Sequence, residues 1–99
     1  MEIAKTFSGA TLNIALTGRL DTTTAPDLDA ALQESLEGIT MLNFDFTNLE
    51  YISSAGLRVL LSTQKKMNQQ GKMIIHHVIP SIMEVFEITG FLDILTIEA

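Results

Sequence analysis

The sequence has no cysteine, no tryptophan, one tyrosine and two prolines among its 99 residues. Without cysteine there can be no disulfide, no thiolate metal ligand and no cysteine nucleophile. Aromatic residues amount to only 6%, so a core must be assembled from Leu, Ile, Val and Met. No run of about 18 apolar residues occurs, so no stretch reads as a membrane-spanning helix. Positive charge is scarce too. Six basic against twelve acidic side chains give −6 at pH 7. That sign speaks against a nucleic-acid footprint and against a polybasic membrane contact. The opening residues, Met1-Glu2-Ile3-Ala4-Lys5-Thr6, lack a basic start followed by an apolar run, so a cytoplasmic protein without a secretory leader is expected. What is present, 46% hydrophobic against 18% charged, is the composition of a folded globular chain. Its length suits one domain over residues 1–99.

Residues 2–7 and 11–17 read as strands. In the second, Leu12, Ile14 and Leu16 alternate with Thr11, Asn13, Ala15 and Thr17, the period of a sheet with unequal faces. Ser8-Gly9 between them suits an antiparallel turn. Ala25-Pro26 opens a helix over about 26–37, with Asp27 and Asp29 near its positive end, Leu28, Leu32 and Leu36 as its buried stripe, and Gly38 as its stop. A strand over 40–46 places Leu42, Phe44 and Phe46 on one face, and residues 47–52 read as a connection. A second helix is expected from Ser54 to Gln70, then a strand over 73–78, a helix from Pro80 to Gly90, and a short strand or extension at Leu95-Thr96-Ile97. Strands alternating with single helices imply an α/β fold with a largely parallel or mixed sheet and right-handed crossovers.

Few residues suggest chemistry. There is no glycine-rich phosphate loop. His76 and His77 are adjacent on an expected strand, so their side chains should point to opposite faces and share no metal. A hydrolase triad can be drawn from Ser53 or Ser54 with His76 and Asp45, but no G-x-S-x-G elbow supports it. Core filler is the simplest role for Met41, Met67, Met73 and Met83. Neither an enzyme nor a cofactor is indicated.

The segment Tyr51-Ile52-Ser53-Ser54-Ala55-Gly56-Leu57-Arg58 stands apart. One serine suffices to cap a helix, at about 1 kcal/mol. If Ser54 is that cap, its replacement by alanine costs about 0.5–2 kcal/mol. A second serine and a glycine in the first turn go beyond capping, because Gly is a poor helix former. Small residues there would leave the tip open to another protein. Residues 51–83 contain no acidic side chain but hold Arg58, Lys65, Lys66 and Lys72, leaving a net −10 on the rest of the chain. A phosphate on a serine at this tip would meet free N–H groups and the positive end of the helix dipole. Arg58 follows Ser54 by four residues and so shares its side of the helix. The bland alternative is a solvated basic face.

This segment resembles the phosphorylation-site segment of STAS domains, and more narrowly that of the bacterial anti-sigma factor antagonists. Thr17-Gly18-Arg19-Leu20-Asp21, with Ala25 and Leu28, is similar to the family's entry into the first helix. Asp45-Phe46-Thr47-Asn48-Leu49-Glu50-Tyr51-Ile52 is similar to its lead-in to the second. The resemblance covers essentially the whole chain. It implies a single small STAS-like domain, a mixed sheet of four or five strands packed with three or four helices. It also implies a partner switch. The unphosphorylated antagonist binds an anti-sigma factor that is a GHKL-type serine kinase and frees a sigma factor. Phosphorylation by Mg-ATP releases the complex, and a PP2C-type phosphatase resets it. Better-known members read Asp-Ser-Ser/Thr-Gly-Leu-Gly at the tip. Here Ser53 stands for the Asp, Ser54 for the first hydroxyl residue, Ala55 for the second, and Arg58 for the residue after Leu. Ser54 is thereby the first choice as phosphate acceptor and Ser53 the second. The resemblance puts Asp21, Thr22, Ser53, Ser54, Ala55, Gly56 and Arg58 on the partner-binding surface of a monomer, with Asp21 and Asp45 both at strand ends near the tip. The alternative within the same family is a non-phosphorylated adaptor or a ligand-sensing module of a transport or signalling complex.

Overall fold

The computed structural model describes residues 1–98. Strands β1 (Glu2–Ser8) and β2 (Thr11–Leu20) form an antiparallel hairpin. Helix α1 (Ala25–Ser35) leads to β3 (Met41–Ile52), helix α2 (Ser54–Gln70) to β4 (Lys72–His76), and helix α3 (Pro80–Thr89), with a 3₁₀ turn at Phe91–Asp93, to β5 (Ile97–Glu98). The sheet order is β1-β2-β3-β4-β5, parallel from β2 onward. This is the mixed five-stranded α/β sheet with three α-helices among the described residues. Successive crossovers between neighbouring parallel strands, all of one hand, put the helices on one face.

That face holds the core. Leu12, Ile14 and Leu16 of β2, Leu42, Phe44 and Phe46 of β3 and Met73 and Ile75 of β4 meet Leu28 and Leu32 of α1, Leu60 and Met67 of α2 and Ile82 and Phe86 of α3, all buried. Their alternation along each strand is the two-residue period of a sheet buried on one side. The Phe44 and Phe46 rings pack tilted, with centroids 5.7 Å apart.

Two strands are longer than the sequence pattern indicates. β2 continues to Leu20, and β3 runs through 47–52 where a connection is expected. The reason lies in the register. Ala15 pairs with Asp45 but Thr17 with Asn48, and Gly18 pairs with Leu49 but Arg19 with Tyr51, so β3 carries two extra residues. These bulges change the spacing of its buried side chains from two to three: Phe46, Leu49, Ile52. A search for alternation loses the strand there. Helix α1 stops at Ser35, before the expected position, and Gly38 turns the chain two residues past its cap at Leu36. Gly90 ends α3 in the left-handed conformation (φ 79°) that a helix terminus often requires.

Candidate functional site

The extended β3 delivers the serine segment to the tip of α2. Ser53 closes the end of β3 by donating its N–H to the Leu20 carbonyl (2.9 Å), which ties β2, β3 and α2 together. Ser53 is in extended conformation, and its Oγ accepts the Gly56 N–H at 3.3 Å while its carbonyl accepts from Leu57 N–H at 2.9 Å. The helix cap is therefore Ser53, not Ser54. Ser54 is the first helical residue and is exposed, and its Oγ makes no hydrogen bond among the described residues. The N–H groups of a first helical turn have no partner in the preceding turn, and α2 has no acidic side chain there to meet them.

Ala55 is half-buried and Gly56 fully buried. A Cβ on Gly56 would stand 2.7 Å from Leu20 Cγ and 2.9 Å from Ile52 Cγ1. The glycine thus lets α2 lie close against β2 and β3. It does not open the tip to solvent, as the sequence suggested, and of the seven residues grouped there it alone is sealed inside. Arg58 is exposed beyond Ser54, and Thr22 is exposed across from it on the loop before α1. Thr22, Ala55 and Arg58, with Ala25, Pro26 and Val59, line one shallow groove between α1 and α2.

Asp21 is committed to that loop. Its Oδ1 accepts the Thr23 and Thr24 N–H groups (both 3.0 Å), and Thr24 Oγ1 accepts the Asp21 N–H at 2.8 Å. The Thr24 N–H bond leads the effects that hold this carboxyl below its ordinary range. The other carboxylate oxygen, Oδ2, lies 3.9 Å from Arg19 Nε, and the Arg19 guanidinium stacks 4.1 Å above the Tyr51 ring.

Asp45 is not near the tip. It pairs with Ala15 and His76 in mid-sheet, seven residues before β3 ends. The Thr47 hydroxyl and N–H donate to its Oδ1 and hold its carboxyl below the ordinary value, with the two histidines adding to the effect. His77 corrects a second expectation. It follows β4 with a left-handed backbone (φ 60°), so strict alternation ends. Both rings, with centroids 6.1 Å apart, line one depression of about 460 Å³ on the helix-free face, with Asn13, Asn43 and Asp45. His76 Nε2 lies 3.2 Å from Asn43 Oδ1, and neither it nor Asp45 bonds to Ser53 or Ser54 among the described residues. The hydrolase triad is not assembled. Among the described residues no three His, Asp or Glu side chains are grouped to hold a metal, and no helix is long and apolar enough to cross a membrane.

A family model described as the STAS domain matches residues 2–99. The chain is 41% identical over 81 residues to BtrV of Bordetella bronchiseptica, provisionally named an anti-sigma factor antagonist, covering 80% of this chain and 70% of that protein. It is 33% identical over 90 residues to the anti-sigma-B factor antagonist of Listeria monocytogenes, covering 88% and 78%. Its fold is similar to that of the anti-sigma factor antagonist SpoIIAA in its unphosphorylated form (TM-score 0.78, 18% identity, 99% and 88% covered). It is also similar to Bacillus SpoIIAA in the phosphorylated form (TM-score 0.77, 19% identity, 99% and 92% covered).

Proposed function

The chain belongs to the STAS domain family, and from that premise we propose that it is a cytoplasmic anti-sigma factor antagonist whose binding is switched off by phosphorylation of Ser54. The observation that carries this is the division of labour between the two serines. Ser53 Oγ is occupied as the cap of α2, whereas Ser54 Oγ is exposed and unbonded at the first helical residue. The names of the BtrV and Listeria relatives support the antagonist role.

Unphosphorylated, the α2 tip and the neighbouring groove bind an anti-sigma factor that is also a GHKL-type serine kinase, and a sigma factor is freed. In that complex the Ser54 hydroxyl attacks the γ-phosphorus of Mg-ATP. The bond to the β-phosphate oxygen breaks, ADP leaves, and the serine proton passes to a base of the kinase. This chain supplies the acceptor and no catalytic group. The phosphate then sits against the first N–H groups of α2, where helix polarity favours it. The helix itself gains, so release must come from the interface. At the interface a bulky dianion clashes with the partner and loses the water it keeps at the free tip. A PP2C-type phosphatase removes the phosphate and resets the switch.

The test is incubation with the cognate kinase and ATP, followed by intact-mass measurement. One phosphate should be added to wild type and to Ser53→Ala, and none to Ser54→Ala, which should stay bound in the presence of ATP. Phosphate on Ser54→Ala, or release of that variant by ATP, would assign the switch to another residue.

A further inference from the structure

We propose that the exposed side of α2 from Ser54 through Arg58 and Lys65 to Lys66 is a docking strip for an acidic protein surface, which guides the partner onto the Ser54 tip. The proposal rests on the reading of Ser54 given above and names the chemistry of the partner's facing surface.

α2 contains three basic residues and no acidic one. At about 100° per residue, Ser54, Arg58 and Lys65 fall within about 40° of one another, with Ser62 and Gln69 beside them and Lys66 at the border. All six are exposed, whereas Gln70 turns inward and donates to the Leu36 and Ile39 carbonyls. Gly56, Leu57, Leu60, Thr63, Gln64 and Met67 form the opposite, buried side. At about 1.5 Å per residue the strip is about 18 Å long.

Its charge is not answered inside the molecule. The ion pairs among the described residues are Lys5–Glu34 and Arg19–Asp21, and neither involves α2. α1 packs beside α2 and carries Asp27, Asp29 and Glu34. Asp29 even lines the same groove as Arg58, yet its carboxylate accepts from Gln33 at 2.8 Å and leaves Arg58 unpaired. Twelve acidic side chains are available in the chain, and none lies in residues 51–83.

The kind of partner follows from the contrast between the strip and the rest. A nucleic acid or an anionic bilayer presents charge over a span much longer than about 18 Å and meets the repulsion of a chain at −6. A protein with a local acidic patch meets the strip alone, because at physiological salt charges beyond about 8 Å are largely screened. Charges at the rim of an interface act mainly on the rate of encounter and on its salt dependence.

The experiment measures association of the full chain with the kinase that retains Ser54→Ala in the presence of ATP, at about 0.01 M and about 1 M salt, where screening lengths are about 30 and 3 Å. Arg58→Glu and Lys72→Glu change the net charge equally, but Lys72 begins β4 and lies off the strip. Circular dichroism confirms that each variant is folded. Arg58→Glu, and more strongly the triple change with Lys65→Glu and Lys66→Glu, should slow association at low salt, the triple by at least about tenfold. The difference should close at high salt, and Lys72→Glu should associate close to wild type. Equal rates for Arg58→Glu and Lys72→Glu would overturn the strip while leaving the Ser54 switch intact. Strip-dependent retention on duplex DNA or on phosphatidylserine vesicles would replace the acidic protein by a polyanion. If no kinase retains Ser54→Ala, the Ser54 reading falls and the strip's proposed role falls with it.

Discussion

Gly56 of α2 lies directly over Leu20 of β2, so close that a Cβ on the glycine would stand 2.7 Å from the leucine Cγ. Glycine-to-alanine in a helix normally gains up to about 1 kcal/mol. Here the added methyl meets Leu20 and Ile52, both buried, and overpacking of this kind costs about 1–3 kcal/mol. Gly56→Ala should therefore be less stable, with a melting temperature lower by at least about 4 °C for a net loss near 1 kcal/mol. An unchanged or raised melting temperature would mean that the two side chains step aside freely.

The two serines should separate cleanly in stability measurements. Ser53→Ala removes the cap oxygen of α2 and should cost about 0.5–2 kcal/mol in chemical denaturation. Ser54→Ala removes an exposed, unbonded hydroxyl and should stay within about 0.5 kcal/mol of wild type. The reverse order would return the cap to Ser54.

Asp45 makes a pH-dependent contribution whose sign is fixed by its partners. Its folded carboxyl is held below the ordinary 3.8, first by the Thr47 hydroxyl and then by the Thr47 N–H. The stabilisation is thus complete above that ordinary value and is lost as pH falls through the lower folded one. Thr47→Ala should cost about 1 kcal/mol at pH 7, a charge-assisted bond discounted for its partial exposure. The gap to wild type should narrow below about pH 4. Urea midpoints for the two proteins across that range test it, and a gap that widens on acidification contradicts the assignment.

Phosphorylation at Ser54 adds about −1.5 to −2 charges at a helix terminus that favours them. The circular dichroism spectrum and melting temperature should be nearly unchanged, while affinity for the kinase partner falls by at least about 1.4 kcal/mol, or tenfold. Ser54→Asp should weaken binding less, since it carries a smaller charge and no tetrahedral oxygens. Equal affinity of the two forms, or a large change of fold, would contradict release at the interface.

The sequence by itself determined the order of elements, because most of them are governed by local rules. Leu12, Ile14 and Leu16 alternate as half-buried strands must. Leu28 and Leu32 recur at helical spacing, and Gly90 stops α3 through its own backbone freedom. The serine segment was legible as well, since a second serine and a glycine at a helix start exceed what capping needs. Tertiary structure decided what depends on distant chain. β3 reaches Ile52 because its pairing with β2 absorbs two bulged residues, and a bulge is a property of the pair. Gly56 is buried because Leu20 and Ile52 come from other elements to meet it. Ser53, not Ser54, became the cap because its N–H is anchored to the Leu20 carbonyl across the sheet. His77 joined His76 on one face because its backbone turns left-handed after β4, and period-two reasoning applies only while the chain stays extended.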